Sequence, residues 1–188
     1  MAGPLSKLGP ATSNLAVALA QAGCEVFASD IAPNGLKITQ NWLDELGLHA
    51  DLKVSDMTIC PWPENNFHGV ISWNSLQHNT LDNIKKAVNE VHKHLVPGGL
   101  FLGAIKSTKA DSYGMGHEIE PDTFVQDDDK ESGVPHHFFD EEAIKELFKD
   151  WEFISLAEQV MHYVHRGDNF RKHNPFSYTH WCILARKK

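Results

Sequence analysis

Cysteine is scarce in this chain: three in 188 residues, at Cys24, Cys60 and Cys182. They lie far apart, show no paired metal spacing, and leave one thiol over if any two were bridged. They read as the reduced thiols of a cytoplasmic protein. Long apolar runs are missing too. No stretch reaches the length that crosses a bilayer, and residues 1–10 lack the apolar segment of a signal peptide, so no membrane partner is expected. Positive charge is in short supply: 17 Lys and Arg stand against 25 Asp and Glu, a formal net charge of -8. That balance opposes the phosphate backbone that dominates nucleic-acid affinity. A small molecule is the expected partner, and oligomeric state is left open.

What is present suits one ordinary core. With 41% hydrophobic residues in 188, the chain reads as a single domain over 1–188. After Asn14, a helix N-cap residue, Leu15, Ala18, Leu19 and Ala22 recur at helical spacing, and Gly23 supplies the stop. Residues 25–29 form a β-type run ending on Asp30, with Pro33, Asn34 and Gly35 marking the turn beyond. Leu36, Leu43 and Leu46 line a second helix closed by Gly47, and residues 50–55 alternate as a strand before Asp56. Residues 69–72 read as a buried strand. Leu81, Ile84, Val88, Val91 and Leu95 mark the most regular helix, which Pro97-Gly98-Gly99 stops before a buried strand at 100–105. Strand and helix alternate, which implies a parallel sheet with helices on both faces.

Residues 106–136 break this alternation with Gly114, Gly116, Pro121, the acidic run Asp127-Asp128-Asp129 and Gly133. They read as a long surface insertion bordering the site, or as a mobile acidic loop. Asp140, Glu141 and Glu142 then place negative charge where a helix start favours it, and Ile144, Leu147 and Phe148 supply an apolar stripe. Strands are expected at 151–156 and 178–185.

In open α/β sheets, ligands bind beyond the carboxyl ends of the strands, and the first strand-to-helix turn brings backbone to the ligand. Here that turn is Gly9-Pro10-Ala11-Thr12-Ser13-Asn14, and Asp30 follows Gly9 at the spacing of about 20 residues at which an acidic residue binds ribose hydroxyls. Asp56 ends the next strand on the same edge. Two carboxylates with Ile31 and Met57 beside them suit a nucleoside, which offers hydroxyls, an amino group and an aromatic face. An aspartate after a strand also serves as a plain turn residue.

Taken together, Asp30-Ile31-Ala32-Pro33, Ser55-Asp56-Met57-Thr58, Phe67-His68-Gly69-Val70-Ile71-Ser72 and Leu95-Val96-Pro97-Gly98-Gly99-Leu100 resemble, in order, successive motifs of the class I S-adenosylmethionine-dependent methyltransferases. Pro135-His136-His137-Phe138-Phe139-Asp140 and Trp151-Glu152-Phe153 are similar to the small-molecule members, the tellurite-resistance group among them. The resemblance implies an α/β fold: a Rossmann-like, doubly wound, mostly parallel sheet whose last strand, at 178–185, is antiparallel. It implies S-adenosylmethionine as cofactor and methyl transfer to a small-molecule acceptor. By position it assigns Gly9 to the cofactor loop, Asp30 and Ile31 to the ribose side, Asp56 and Met57 to the adenine, and Trp73 to the methionine side. His78 and His137, with His136 beside them, are the candidate bases for a protonated acceptor.

The loop departs from the family's Gly-x-Gly-x-Gly pattern. Only Gly9 remains, Ala11 and Ser13 add side-chain atoms, and Lys7 stands where the family has a carboxylate. The chain also starts few residues before this loop, which gives the expectation of a shortened N-terminus. An alternative reading is therefore a non-catalytic methyltransferase-like binding module that has lost cofactor affinity, with Trp62, Phe138 and Phe139 turned to a partner. A dehydrogenase would share Asp30 but not the Asp56-Met57 and Pro97-Gly98-Gly99 pairings. Metal binding by the 12 histidines is not expected, because His92 and His94 do not share a helix face and no cysteine pair assists.

Overall fold

The computed structural model describes residues 5–8, 14–127, 131–162 and 177–188. The first half of the chain builds β1 (Leu5–Leu8), α1 (Asn14–Gln21), β2 (Val26–Asp30), α2 (Pro33–Glu45), β3 (Asp51–Val54), β4 (Phe67–Trp73), α3 (Leu81–His94) and β5 (Leu95–Lys106). After these come β6 (His117–Glu120), β7 (Thr123–Val125), β8 (Pro135–His137), α4 (Glu141–Leu147), β9 (Trp151–His162) and β10 (Ser177–Lys187).

Seven strands form one sheet in the order β3-β2-β1-β4-β5-β10-β9. The neighbours from β3 to β5 pair in parallel, while β10 is antiparallel to both β5 and β9. The α/β architecture with an antiparallel last strand is thus as the sequence leads one to expect. Alternation along β2 divides the interior. Val26 and Ala28 join Ala16, Val17 and Ala20 of α1 and Leu43 of α2 in one apolar cluster. Phe27, pointing the other way, packs on the larger cluster built around Ile84, Val88 and Val91 of α3 with Phe101, Ile144, Phe148 and Ile183. Ile84 and Leu43 are fully buried, and truncating either to alanine costs about 2–5 kcal/mol.

The end of α3 differs from the expected stop. The helix ends at His94, and Leu95 already has extended backbone. Its final carbonyls are satisfied from outside the helix: the backbone N–H groups of Asn65 and Asn66 donate to Lys93 and His94, and Lys187 Nζ donates to Leu95. Pro97-Gly98-Gly99 lies inside the span of β5, where the pairing with β4 shifts register between Phe67 and Gly69 and Gly98 takes φ of 77°.

The insertion at 106–136 is more than a bare acidic loop. It carries a second, antiparallel sheet in the order β6-β7-β8. The rings of Tyr113, Phe124 and Phe138 meet edge to face beside it. Its strands are too short to leave the apolar alternation that a sequence reading detects.

Candidate functional site

In the sheet order, β1 pairs with β2 on one side and β4 on the other, so the chain winds away from β1 in both directions. Such a switch point opens a crevice at the carboxyl ends of the strands. A cavity of about 260 Å³ lies on this edge, lined by Asp30, Ile31, Asp56, Met57, His78 and Val134 among others. Three stretches converge there: the ends of β2 and β3, and the loop between β4 and α3. Val134 comes from the insertion, just before β8.

Both carboxylates are fixed by their own turns. Asp30 ends β2, is only 8% exposed, and accepts the backbone N–H of Ala32 at 2.7 Å. Asp56 accepts the backbone N–H of Thr58 at 2.8 Å and its hydroxyl at 2.6 Å. These are the local turns that aspartates form two residues ahead, and they hold the carboxyl groups at the cavity wall. Met57 leans on the main core. Ile31, in contrast, is 68% exposed, an apolar side chain kept at the rim rather than in the interior.

Strand alternation separates the two neighbouring histidines of β8. His136 turns toward His78, with ring centroids 4.8 Å apart and nearly perpendicular, and its Nε2 lies 2.8 Å from Glu131 Oε2. Burial pushes the His78 imidazole down to about 4, the Glu131 carboxylate pulling against this, so the ring is neutral near pH 7. His137 points away. Its Nδ1 lies 2.6 Å from the Thr123 hydroxyl, and it lines a different cavity of about 370 Å³ between α3 and α4. His137 therefore does not join His78 at the edge where the sequence reading set both, because adjacent residues of a strand face opposite sides. Trp73 ends β4, is 39% exposed, and is not among the residues lining the first cavity. Gly9, with Ala11 and Ser13, lies outside the described residues.

The histidines of α3 do not converge: His94 Nδ1 pairs with the Glu90 carbonyl, and His92 meets the Trp151 ring. Trp62, Phe138 and Phe139, considered as partner-facing aromatics, are 7%, 2% and 0% exposed. They are core residues, and the Trp62 indole N–H donates to Asp51.

Residues 7–99 match the family model described as a methyltransferase domain. Over that stretch, just under half of the chain, the sequence is similar to the methyltransferase family. Among solved structures, TehB from Haemophilus influenzae superimposes with a TM-score of 0.74 at 19% identity, over 100% of this chain and 58% of that one. This chain thus spans little more than half the length of TehB. An S-adenosylmethionine-dependent methyltransferase from Methanosarcina mazei matches with a TM-score of 0.80 at 17% identity, over 99% of this chain and 92% of that one. One from Clostridium acetobutylicum matches with a TM-score of 0.70 at 18% identity, over 97% and 84%. At these identities the likeness is one of fold. No curated protein matches the sequence significantly.

Several cavity residues escape a sequence reading: Ser29, Ser55, Ser75 and Asn79. Ser29 and Ser55 directly precede the two aspartates, the one signal that could have flagged them. Ser75 and Asn79 arrive because Asn74, at φ of 53°, turns the chain as it leaves β4. Asparagine tolerates that left-handed conformation better than most residues. Along this exit, Ser72 Oγ, Asn74 Oδ1 and Gln77 Oε1 are buried and find no hydrogen-bond partner among the described residues. Buried polar atoms are seldom left so, and a run of them at one strand end marks a place built for contact.

Proposed function

We propose that this chain transfers the methyl group of S-adenosylmethionine to a small-molecule acceptor, on a Rossmann-like doubly wound frame. The observation that carries this reading is the cavity at the switch point, walled by two carboxylates at successive strand ends with Ile31 and Met57 beside them. At about 260 Å³ it is slightly smaller than the roughly 300–1,000 Å³ of a complete ligand pocket, a size that suits one part of the cofactor, its nucleoside. The donor set fits that part. Asp30 accepts from the ribose hydroxyls, Asp56 takes the adenine amino side, and Ile31 and Met57 cover the faces of the base. The resemblance assigns Gly9 to the cofactor as well, and Trp73 to its methionine portion.

When bound, the cofactor supplies a methyl group already activated on a sulfonium. The protein's contribution is to hold donor and acceptor in line and keep water out. His78, whose imidazole is neutral near pH 7, lines the same cavity and is the side chain that meets the acceptor. Val134 of the insertion also lines the cavity, and the net charge of -8 disfavours a nucleic acid.

Thermal unfolding with increasing S-adenosylhomocysteine tests this. Saturable stabilisation is expected, reaching about 2.7 kcal/mol at a hundredfold excess over Kd. No shift at roughly millimolar ligand would instead indicate a binding module that has lost its cofactor.

A further inference from the structure

We propose that His78, Glu131 and His136 form a divalent-cation site suited to zinc beside the same cavity, which His78 lines. One ligand atom from each lies within 4.8 Å of the other two. The three come from different places in the fold: the loop between β4 and α3, the turn that precedes β8, and β8 itself. None of the spacings a sequence reading tests for metal ligands links them.

Two imidazoles and one carboxylate are the donor set of many catalytic zinc sites, which keep a fourth position for water or substrate. Ligands about 2.1 Å from zinc stand roughly 3.4 Å apart on a tetrahedron. The 2.8 Å separation of His136 Nε2 and Glu131 Oε2 must open slightly, and the widest separation must close by side-chain rotation. The Glu131 side chain, 49% exposed, has room to make that adjustment, while His136, at 5%, is held in place. The opposing charge nearby is Lys106, whose ammonium is drawn over the Phe138 ring at 5.3 Å, and His180 faces His78 from β10. Of the three ligands, His78 is the one that lines the cavity, which puts the proposed ion next to it.

This inference extends the proposed function by naming an acceptor class: molecules that present a metal-ligating oxygen, nitrogen or sulfur beside the methyl donor. Its purpose rests on that reading, but the existence of the site does not, and the two are measured separately. Chelator-stripped protein is titrated with Zn2+ in a calorimeter, and with Co2+ followed by visible absorption, in the absence of cofactor. One ion per chain with tetrahedral-type cobalt bands is expected. Affinity should fall well over tenfold in both His78→Gln and Glu131→Gln, since even outer-sphere partners of a metal site are worth about 10- to 100-fold. Glu131→Gln changes a half-exposed side chain, so its far-UV circular dichroism should match the parent and exclude misfolding. Absence of saturable binding, or unchanged affinity in the two variants, overturns the site; in the second case the ion sits on other histidines. Zinc binding retained without any S-adenosylhomocysteine shift refutes the cofactor reading alone. The reverse pattern refutes the metal site alone.

Discussion

Glu120 Oε1 accepts the backbone N–H of Leu81 at 2.6 Å, so a residue of the insertion caps the first turn of α3 from 39 positions away. The formal N-cap, Thr80, makes no side-chain cap bond. The same carboxylate oxygen accepts the Thr123 hydroxyl at 3.0 Å, and Thr123 in turn pairs with His137. With the hydroxyl proton given to Glu120, His137 donates from Nδ1. His137 is thereby part of the joint that fastens the insertion to the helix.

Replacing Glu120 with alanine removes both an acceptor and a negative charge from the helix start. A loss of about 1 kcal/mol is expected, within the roughly 0.5–2 kcal/mol of other caps. Glu120→Gln keeps an acceptor oxygen and should lose less. Urea unfolding of the three proteins measures the difference, and equal stability of parent and alanine variant would contradict the capping role.

Asp30 carries two jobs that one substitution can separate. Asn at position 30 keeps an oxygen for the Ala32 N–H and so preserves the turn. It withdraws the charge offered to the ribose. In the proposed site, Asp30→Asn should keep its own melting temperature near that of the parent. S-adenosylhomocysteine affinity should fall by about 1.5–3 kcal/mol, roughly 10- to 150-fold. Calorimetric titration reads this directly, and undiminished affinity would leave Asp30 as a turn residue only.

Gly116 sits in the insertion at φ of 93°, and a Cβ there would run into the carbonyl of Val125. Left-handed backbone and a backbone collision together leave alanine no cheap relief. Gly116→Ala is expected to lower stability by more than about 1 kcal/mol, with the β6 and β7 amides exchanging faster than those of β1 to β5. Hydrogen exchange with mass spectrometry would show whether the loss is local.

Stability should also carry a mark of His92. Burial lowers its pKa, Lys187 lowers it further, and Asp150 opposes both; Nε2 is buried without a hydrogen-bond partner among the described residues and the ring meets Trp151 at 5.0 Å. The folded state therefore binds the proton less readily than the unfolded chain. The contribution of His92 is complete above the unfolded value of about 6.5 and is lost as pH falls through the lower folded value. A His92→Gln variant should show a shallower decline of stability than the parent between about pH 7 and pH 5. Parallel declines in urea unfolding across that range would count against it.

The sequence by itself determined the alternation of strand and helix from β2 to β5, because apolar spacing is a local property that packing then rewards. It determined the candidate residues Asp30 and Asp56 as well, since a carboxylate that ends a buried strand must emerge at the sheet's carboxyl edge. Their turns with Ala32 and Thr58 are equally local. Tertiary structure alone decided which histidines meet. His136 and His137 are adjacent in sequence, yet the pleat of β8 sends the first to His78 and Glu131 and the second to Thr123. It alone decided that the acidic insertion folds into a sheet, that Glu120 caps a distant helix, and that Trp62, Phe138 and Phe139 are interior. Each depends on contacts between residues far apart in the chain, whose loop-closure cost is met only when the whole fold assembles, so no local pattern records them.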